Sequence, residues 1–257
     1  MLEVADRFDG LAETYALHRP GYPTEAFDHL FQQTATDKRI AVDVGAGPGN
    51  STAALRDALP AGWLITAVEP GHEMRRVLTR SFSDAPCVQV VNGLAEAVPL
   101  PDGSAGLMAA CTAFHWFDRP AFYAEAARVL APGGVLALVR NRRVPCAVID
   151  ALNAYIAEHA IEVSDHARRE ASKEPSVREL SEVTGFSTAR SRTYAWREER
   201  DRRGLIDLYL TRSSVWSIVR RTGLRRVMDD LQAVCAATMG ETVTLDWETT
   251  VKWARRR

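Results

Sequence analysis

The chain has 257 residues, 46% of them hydrophobic and 25% charged, with 16 glycines and 12 prolines. At roughly 150 residues per domain this is one large domain or one domain with an elaboration, and the composition excludes a disordered, collagen-like or disulfide-stapled chain. With 32 Lys and Arg against 33 Asp and Glu the net charge is −1, which argues against a dedicated nucleic-acid binder.

The amino terminus, MLEVADRFDG, is acidic and has no apolar core, so no signal peptide is expected. The longest apolar runs, such as VLALV at 135–139, are too short to span a bilayer. Cys87, Cys111, Cys146 and Cys235 lie far apart without a CxxC or neighbouring His, and read as buried thiols rather than a disulfide frame or a metal site. The cytoplasm is the expected compartment.

Along the chain, VADRFDGLAETYALH carries helical apolar spacing, RPGYP (19–23) breaks it, and TEAFDHLFQQT resumes a helix. From 40 to 141 short apolar runs alternate with amphipathic stretches. The runs are IAVDV (40–44), WLITAVE (63–69), CVQVV (87–91), GLMAAC (106–111) and GVLALVRN (134–141); the helices between them are expected at 51–59, 72–82 and 120–130. Apolar strands alternating with helices imply a parallel sheet covered on both faces. Beyond 141 the pattern changes. A helix over 147–162 leads to a polar stretch (164–176), a short helix (177–184) and a strand with one polar face (188–196). Two or three helices between 204 and 239 and a last strand at 241–256 close the chain.

The first strand runs into AVDVGAGPGNST (41–52), with Gly45, Gly47 and Gly49 directly behind it. Glycines there let the backbone approach a ligand and turn sharply into a helix. The spacing is GxGxG, not the GxGxxG of dinucleotide cradles. Asp43 in the strand end suits a cationic ligand group or the bracing of the loop. Glu69 closes the second strand, where a carboxylate can take both hydroxyls of a ribose.

These residues resemble the class I S-adenosylmethionine-dependent methyltransferases. VEPGHEM (68–74), NGLAEAVPLPDGSAGLMAACTAFHWFD (92–118) and ARVLAPGGVLALV (127–139) match that family's pattern in order and spacing. RPGYP, AFHWFD and YLTRSSVW (209–216) are similar to the branch that includes trans-aconitate-type methyltransferases. The resemblance implies an α/β Rossmann-like fold: a seven-stranded, mostly parallel sheet with helices on both faces, the last strand antiparallel, and helical lid elements. It implies one domain over 1–257, made of a helical cap (1–39), a cofactor-binding core (40–141), then lid insertions and the final strands (142–257). S-adenosyl-L-methionine is the implied cofactor. Gly45, Ala46, Gly47 and Gly49 would pass under its methionyl part, Asp43 would anchor the loop or the amino group, and Asn50, Ser51 and Thr52 would add hydrogen bonds. Glu69 would hold the ribose, and Pro70 and Met74 would flank the adenine. Leu94, Ala95 and Glu96 would meet the adenine edge, although many relatives carry Asp where this chain has Leu94. Tyr15 and Arg19 would close over the cofactor, with Arg19 on its carboxylate. Thr112 and Ala113 would sit where cofactor and acceptor meet.

Methyl transfer is an in-line displacement, to which a protein contributes alignment, desolvation and the protonation state of the nucleophile. His115, just past the fourth strand, is the candidate base, since an unperturbed imidazole titrates near neutrality; for a carboxylate acceptor it would only position. Phe114, His115, Trp116, Trp196 and Arg212 are the candidate acceptor contacts, an aromatic and cationic set suited to an apolar acid. CTAF stands where methylation of exocyclic base amines would need an Asn/Asp-Pro-Pro-Tyr motif. The charge is nevertheless uneven. Residues 1–140 carry 11 basic against 16 acidic side chains, and 141–257 carry 21 against 17. The basic stretches at 190–203 and 220–226, interleaved with acids, read as solvated faces. The expected activity is therefore methyl transfer to a small molecule by a monomer or homodimer. Methylation of RNA or protein by the basic part is one alternative; a cofactor-binding protein with another chemistry is a second.

Overall fold

The computed structural model describes residues 12–160 and 176–257. The expected helical stretch before residue 12 and most of the polar stretch 164–176 lie outside the described residues.

Helices α1 (Ala12–His18) and α2 (Thr24–Gln33) flank RPGYP. The alternating core continues as β1 (Ile40–Val44), α3 (Asn50–Asp57), β2 (Leu64–Val68), α4 (His72–Ser81), β3 (Val88–Val91), β4 (Ala105–Cys111), α5 (Arg119–Val129) and β5 (Leu130–Arg143). The remainder is α6 (Ala147–His159), α7 (Val177–Ser181), β6 (Arg190–Asp201), α8 (Arg202–Leu210), α9 (Ser213–Thr222), α10 (Leu224–Thr238) and β7 (Thr242–Arg255). The seven strands form one sheet in the order β3-β2-β1-β4-β5-β7-β6. Pairs from β3 through β5 are parallel, whereas β7 runs antiparallel to both β5 and β6.

Period-two burial on both sheet faces explains the near-continuous apolar runs. Ala41, Ile65, Leu107 and Ala109 face α2 and α3, where Phe27, Leu30 and Leu55 are fully buried. Val42, Val44, Met108 and Ala110 face the other way, onto Phe122, Ala126 and Val129 of α5 and Leu180 of α7. Three helices start at side-chain caps: Asp118 accepts from Ala121 N, Ser176 from Glu179 N and Asp201 from Gly204 N. β5 begins at Leu130, four residues before the expected 134, because Leu130 already pairs with Ala105 across a register shift.

A further apolar cluster lies past the sheet's carboxyl edge. Helices α6, α8, α9 and α10 bury Leu152, Leu205, Tyr209, Val215, Ile218 and Leu231 together against Leu245 and Trp247 of β7. This helical cap is joined to the main body by α1, which packs on α4 at one side and α8 at the other.

Candidate active site

Strand order reverses between β1, whose crossovers lead toward β3, and β4, which leads toward β7. In open α/β sheets the crevice at the carboxyl ends of such neighbours is where ligands bind. A cavity of about 1040 Å³, including space open to solvent, occupies that place. Its floor is Gly45–Gly47 and Ser51 behind β1; its walls are Glu69, Pro70 and Met74 behind β2, and Leu94–Glu96 behind β3. Thr112, Trp116 and Phe117 behind β4, with Tyr15 and Tyr22 from the amino-terminal segment, complete it.

The loop is held from beneath by two buried carboxylates. Asp43 is fully buried and accepts hydrogen bonds from Ser51 Oγ (2.8 Å) and Thr52 Oγ1 (2.6 Å). Burial pushes its carboxyl up to about 6, against the lowering effect of those hydroxyls. It braces the turn and does not line the cavity. Glu69 does line it, and its two oxygens accept from Gly71 N (2.7 Å) and Gly47 N (2.9 Å). Burial raises its pKa while the two amides lower it. The acidic strand end thus ties the first two βα loops together.

At the end of β4, Thr112 has φ +54°, the one described non-glycine residue with positive φ. For a β-branched residue this is a strained conformation of the kind that concentrates at functional sites. Two bonds hold it there: its amide donates to Val139 O (2.8 Å), and its hydroxyl lies 2.9 Å from Tyr22 Oη. Asn50 Nδ2 donates to Ala16 O and Arg19 O (3.3 and 3.2 Å), fastening α1 over the loop. Met74 packs with Ala12 and Tyr15 at the same seam.

The structure thus brings Tyr15, Gly45, Ala46, Gly47, Asn50, Glu69, Pro70, Met74, Leu94, Ala95, Glu96, Thr112 and Trp116 to one cavity. Thr52 and Asp43 stand behind it. Arg19 lies at its margin, 4.8 Å from the Tyr15 ring. Phe114 is instead buried among Phe117, Phe122 and Tyr123. His115 sits on the short 3-10 turn Phe114–Trp116 with its ring against Trp116 (4.7 Å), which itself lines the cavity. Trp196 stacks on Trp247 (5.5 Å) and donates to Thr249 Oγ1, and Arg212 donates to Asn153 Oδ1, both in the cap region. Sequence reasoning missed Tyr22, Pro48, Cys111 and Phe117 as lining residues. The Tyr of RPGYP was the available signal, because a Pro-Gly break returns the chain to the sheet edge.

A bound methionine nucleoside needs room over the glycine loop and polar partners left over. Both are present. A Cβ added at Gly47 would meet nothing within 4 Å, and Glu96 Oε2, on a cavity-lining residue, is buried without a hydrogen-bond partner.

Residues 42–138 match the model of the methyltransferase domain family. Over 93% of this chain and 97% of its own, a candidate type II methyltransferase from Anaeromyxobacter dehalogenans has the same fold, with a TM-score of 0.67 at 24% identity. The chain thus has the Rossmann-like fold of methyltransferases, and the family match lies in its residues 42–138. An uncharacterized methyltransferase of Mycobacterium bovis is 38% identical over 136 residues, 53% of this chain and 52% of that protein. One from Schizosaccharomyces pombe is 35% identical over 130 residues, 50% of each chain. The chain thus spans about half the length of the curated relatives it matches. S-adenosylmethionine is the cofactor of class I methyltransferase domains. Among the described residues, no helix is long and apolar enough to cross a membrane.

Proposed function

We propose that the protein transfers a methyl group from S-adenosylmethionine to a small-molecule acceptor. The observation that carries this reading is the cavity at the β1/β4 reversal, walled by Glu69 and the glycine loop and roofed by Tyr15 and Tyr22. Gly45, Ala46, Gly47 and Asn50 would hold the methionyl part and Glu69 the ribose, with Pro70, Met74, Leu94, Ala95 and Glu96 around the adenine. The cofactor supplies an electrophilic methyl group on a sulfonium. Thr112, strained at the end of β4, would mark the meeting point with the acceptor. Trp116 and the tyrosines, which line the cavity, would shield it from water once the cofactor is bound and so strengthen the polar contacts inside. His115, in contact with Trp116, would position that ring rather than abstract a proton.

A small acceptor is favoured by the two tyrosines that line the cavity and by the state of the basic surface. Arg197 pairs with Asp246 (2.7 Å), Arg203 with Asp207 (2.8 Å) and Arg226 with Asp230 (3.1 Å). Cations so neutralised suit a solvated face better than a phosphate track. The test is transfer of labelled methyl from S-adenosylmethionine in a mixed cell extract. Label in a compound below about 1 kDa other than the donor, seen only when the protein is added, is the expected outcome; protein-dependent label confined to RNA or protein would overturn the reading.

A further inference from the structure

One group of arginines lies outside the described lining of the cofactor cavity. β5 continues four residues past Val139, the partner of Cys111 at the end of β4, to Arg143 opposite Trp247 of β7. At ~3.3 Å per residue Arg143 stands roughly 13 Å beyond the strand edge where the cavity opens. Its guanidinium lies 4.9 Å from the Tyr209 ring and 5.5 Å from that of Trp247, which fixes its plane. Arg212 lies over the same Tyr209 ring, at 5.2 Å. Tyr209 is itself fully buried in the cap, so the platform is rigid.

Two donors in this region lack acceptors. Arg143 Nη1 and Arg19 Nε are both buried without a hydrogen-bond partner. Arg19 and Arg143 repel one another, and burial and that repulsion lower the affinity of the Arg143 guanidinium for its proton. Arg200 is affected in the same way, by burial and by Arg143. The groups that favour the Arg143 charge are the Tyr209 phenol and the Cys146 thiol, with no carboxylate among them. Of the acids on the flanking elements, Asp207 is engaged with Arg203 (2.8 Å) and His18 (3.9 Å), and Glu198 pairs with Arg200 through Oε1 while its Oε2 is buried without a hydrogen-bond partner. Arg143 and Arg19, brought together with buried donors left over and with no carboxylate acting on Arg143 among the described residues, are an arrangement that an incoming oxyanion completes.

We propose that Arg143, with Arg19 beside it, forms an oxyanion subsite that holds a carboxylate or phosphate group of the methyl acceptor between the cap and the cavity. That the anion belongs to a methyl acceptor rests on the methyl-transfer reading; the anion site itself does not. The span from Thr112 to Arg143 then sets the acceptor's length, with its nucleophile at the strand edge and its anionic group roughly 13 Å away.

The test uses the full chain at constant ionic strength, with inorganic phosphate and succinate as probes. Thermal unfolding and Trp fluorescence report binding of each probe, and calorimetry reports S-adenosylhomocysteine separately. At least one probe should raise the wild-type unfolding temperature at 50 mM or below. Its affinity should fall at least tenfold in R143Q, while S-adenosylhomocysteine affinity stays within twofold. The stronger of the two probes identifies the oxyanion. If R143Q does not fold, Arg19→Gln should weaken the same probe by at least threefold. The proposal fails if neither probe binds the wild type, if the variants bind it unchanged, or if R143Q loses the cofactor product instead. Anion binding without methyl transfer to any acceptor would sink the proposed function and leave the subsite standing.

Discussion

Asp43 and Glu69 are carboxylates that folding removes from water, and each is repaid in hydrogen bonds, Asp43 from the first turn of α3 and Glu69 from the loops after β1 and β2. Asp43 is the more costly, because its Oδ1 has no partner. Its carboxyl, ordinarily near 3.8, is pushed up to about 6 by burial. The folded protein therefore binds more protons than the unfolded chain between about pH 4 and 6, and stability falls as pH rises through that window. Asparagine at this position cannot titrate. Relative to D43N, the wild type should lose up to about 3 kcal/mol between pH 4 and pH 7, read by urea unfolding at several pH values. A pH-independent difference would show that Asp43 ionises as freely in the fold as in water. The presence of an acid in the strand end is plain in the sequence, but its task is not. AVDVGAGPGNST leaves open whether Asp43 reaches a ligand or braces the turn, because that depends on where Ser51 and Thr52 point. In the structure both hydroxyls point at Asp43.

Elements were the most legible level. Each apolar run became a strand because the sheet buries both faces, and several helices begin at a cap or a glycine that the chain displays openly. The loop between β1 and α3 shows how glycines of one motif differ. Gly49 has φ +111°, and an added Cβ would lie 2.6 Å from Phe82 and 2.9 Å from Leu78 of α4. Gly47 has φ +58° but open space above it. G49A should therefore cost roughly 2–4 kcal/mol of stability through overpacking and backbone strain. G47A should cost only about 1 kcal/mol, yet weaken S-adenosylhomocysteine binding tenfold or more by placing a methyl on the cavity floor. Unfolding and calorimetry on both variants separate the two, and equal stability losses would contradict the distinction. Aromatic positions were less legible. FHWF offers four rings to the site, but a three-residue 3-10 turn sends Phe114 into the core and Trp116 toward the cavity. Period-based reading has no purchase on so short an element. Trp196 was opaque for another reason: its neighbour Trp247 is 51 residues away in sequence, and only the β6–β7 register pairs them.

At the scale of the molecule, the acidic and basic parts of the chain do not meet at a boundary. The change of charge near residue 140 falls inside β5, a strand with neighbours on both sides. Sequence before it builds the cavity floor and walls. Most of the sequence after it builds the helical cap, before β6 and β7 return to the sheet. This division places the cofactor cradle under a separately packed apolar cluster, with α1 spanning the two. The arginines sit at that junction because β5 overruns β4 and carries Arg143 into the cap. Nothing in a linear reading of VRNRRVP separates the half-buried Arg143 from the exposed Arg142.

Glu69, which in the proposed function holds the ribose of the cofactor, is the residue on which that proposal depends most. Calorimetric titration of the wild type and E69A with S-adenosylhomocysteine tests it most directly. One saturable site per chain in the wild type, and affinity reduced at least thirtyfold in a folded E69A, is the predicted result. Equal affinity in the two proteins, or no binding to the wild type, would contradict it.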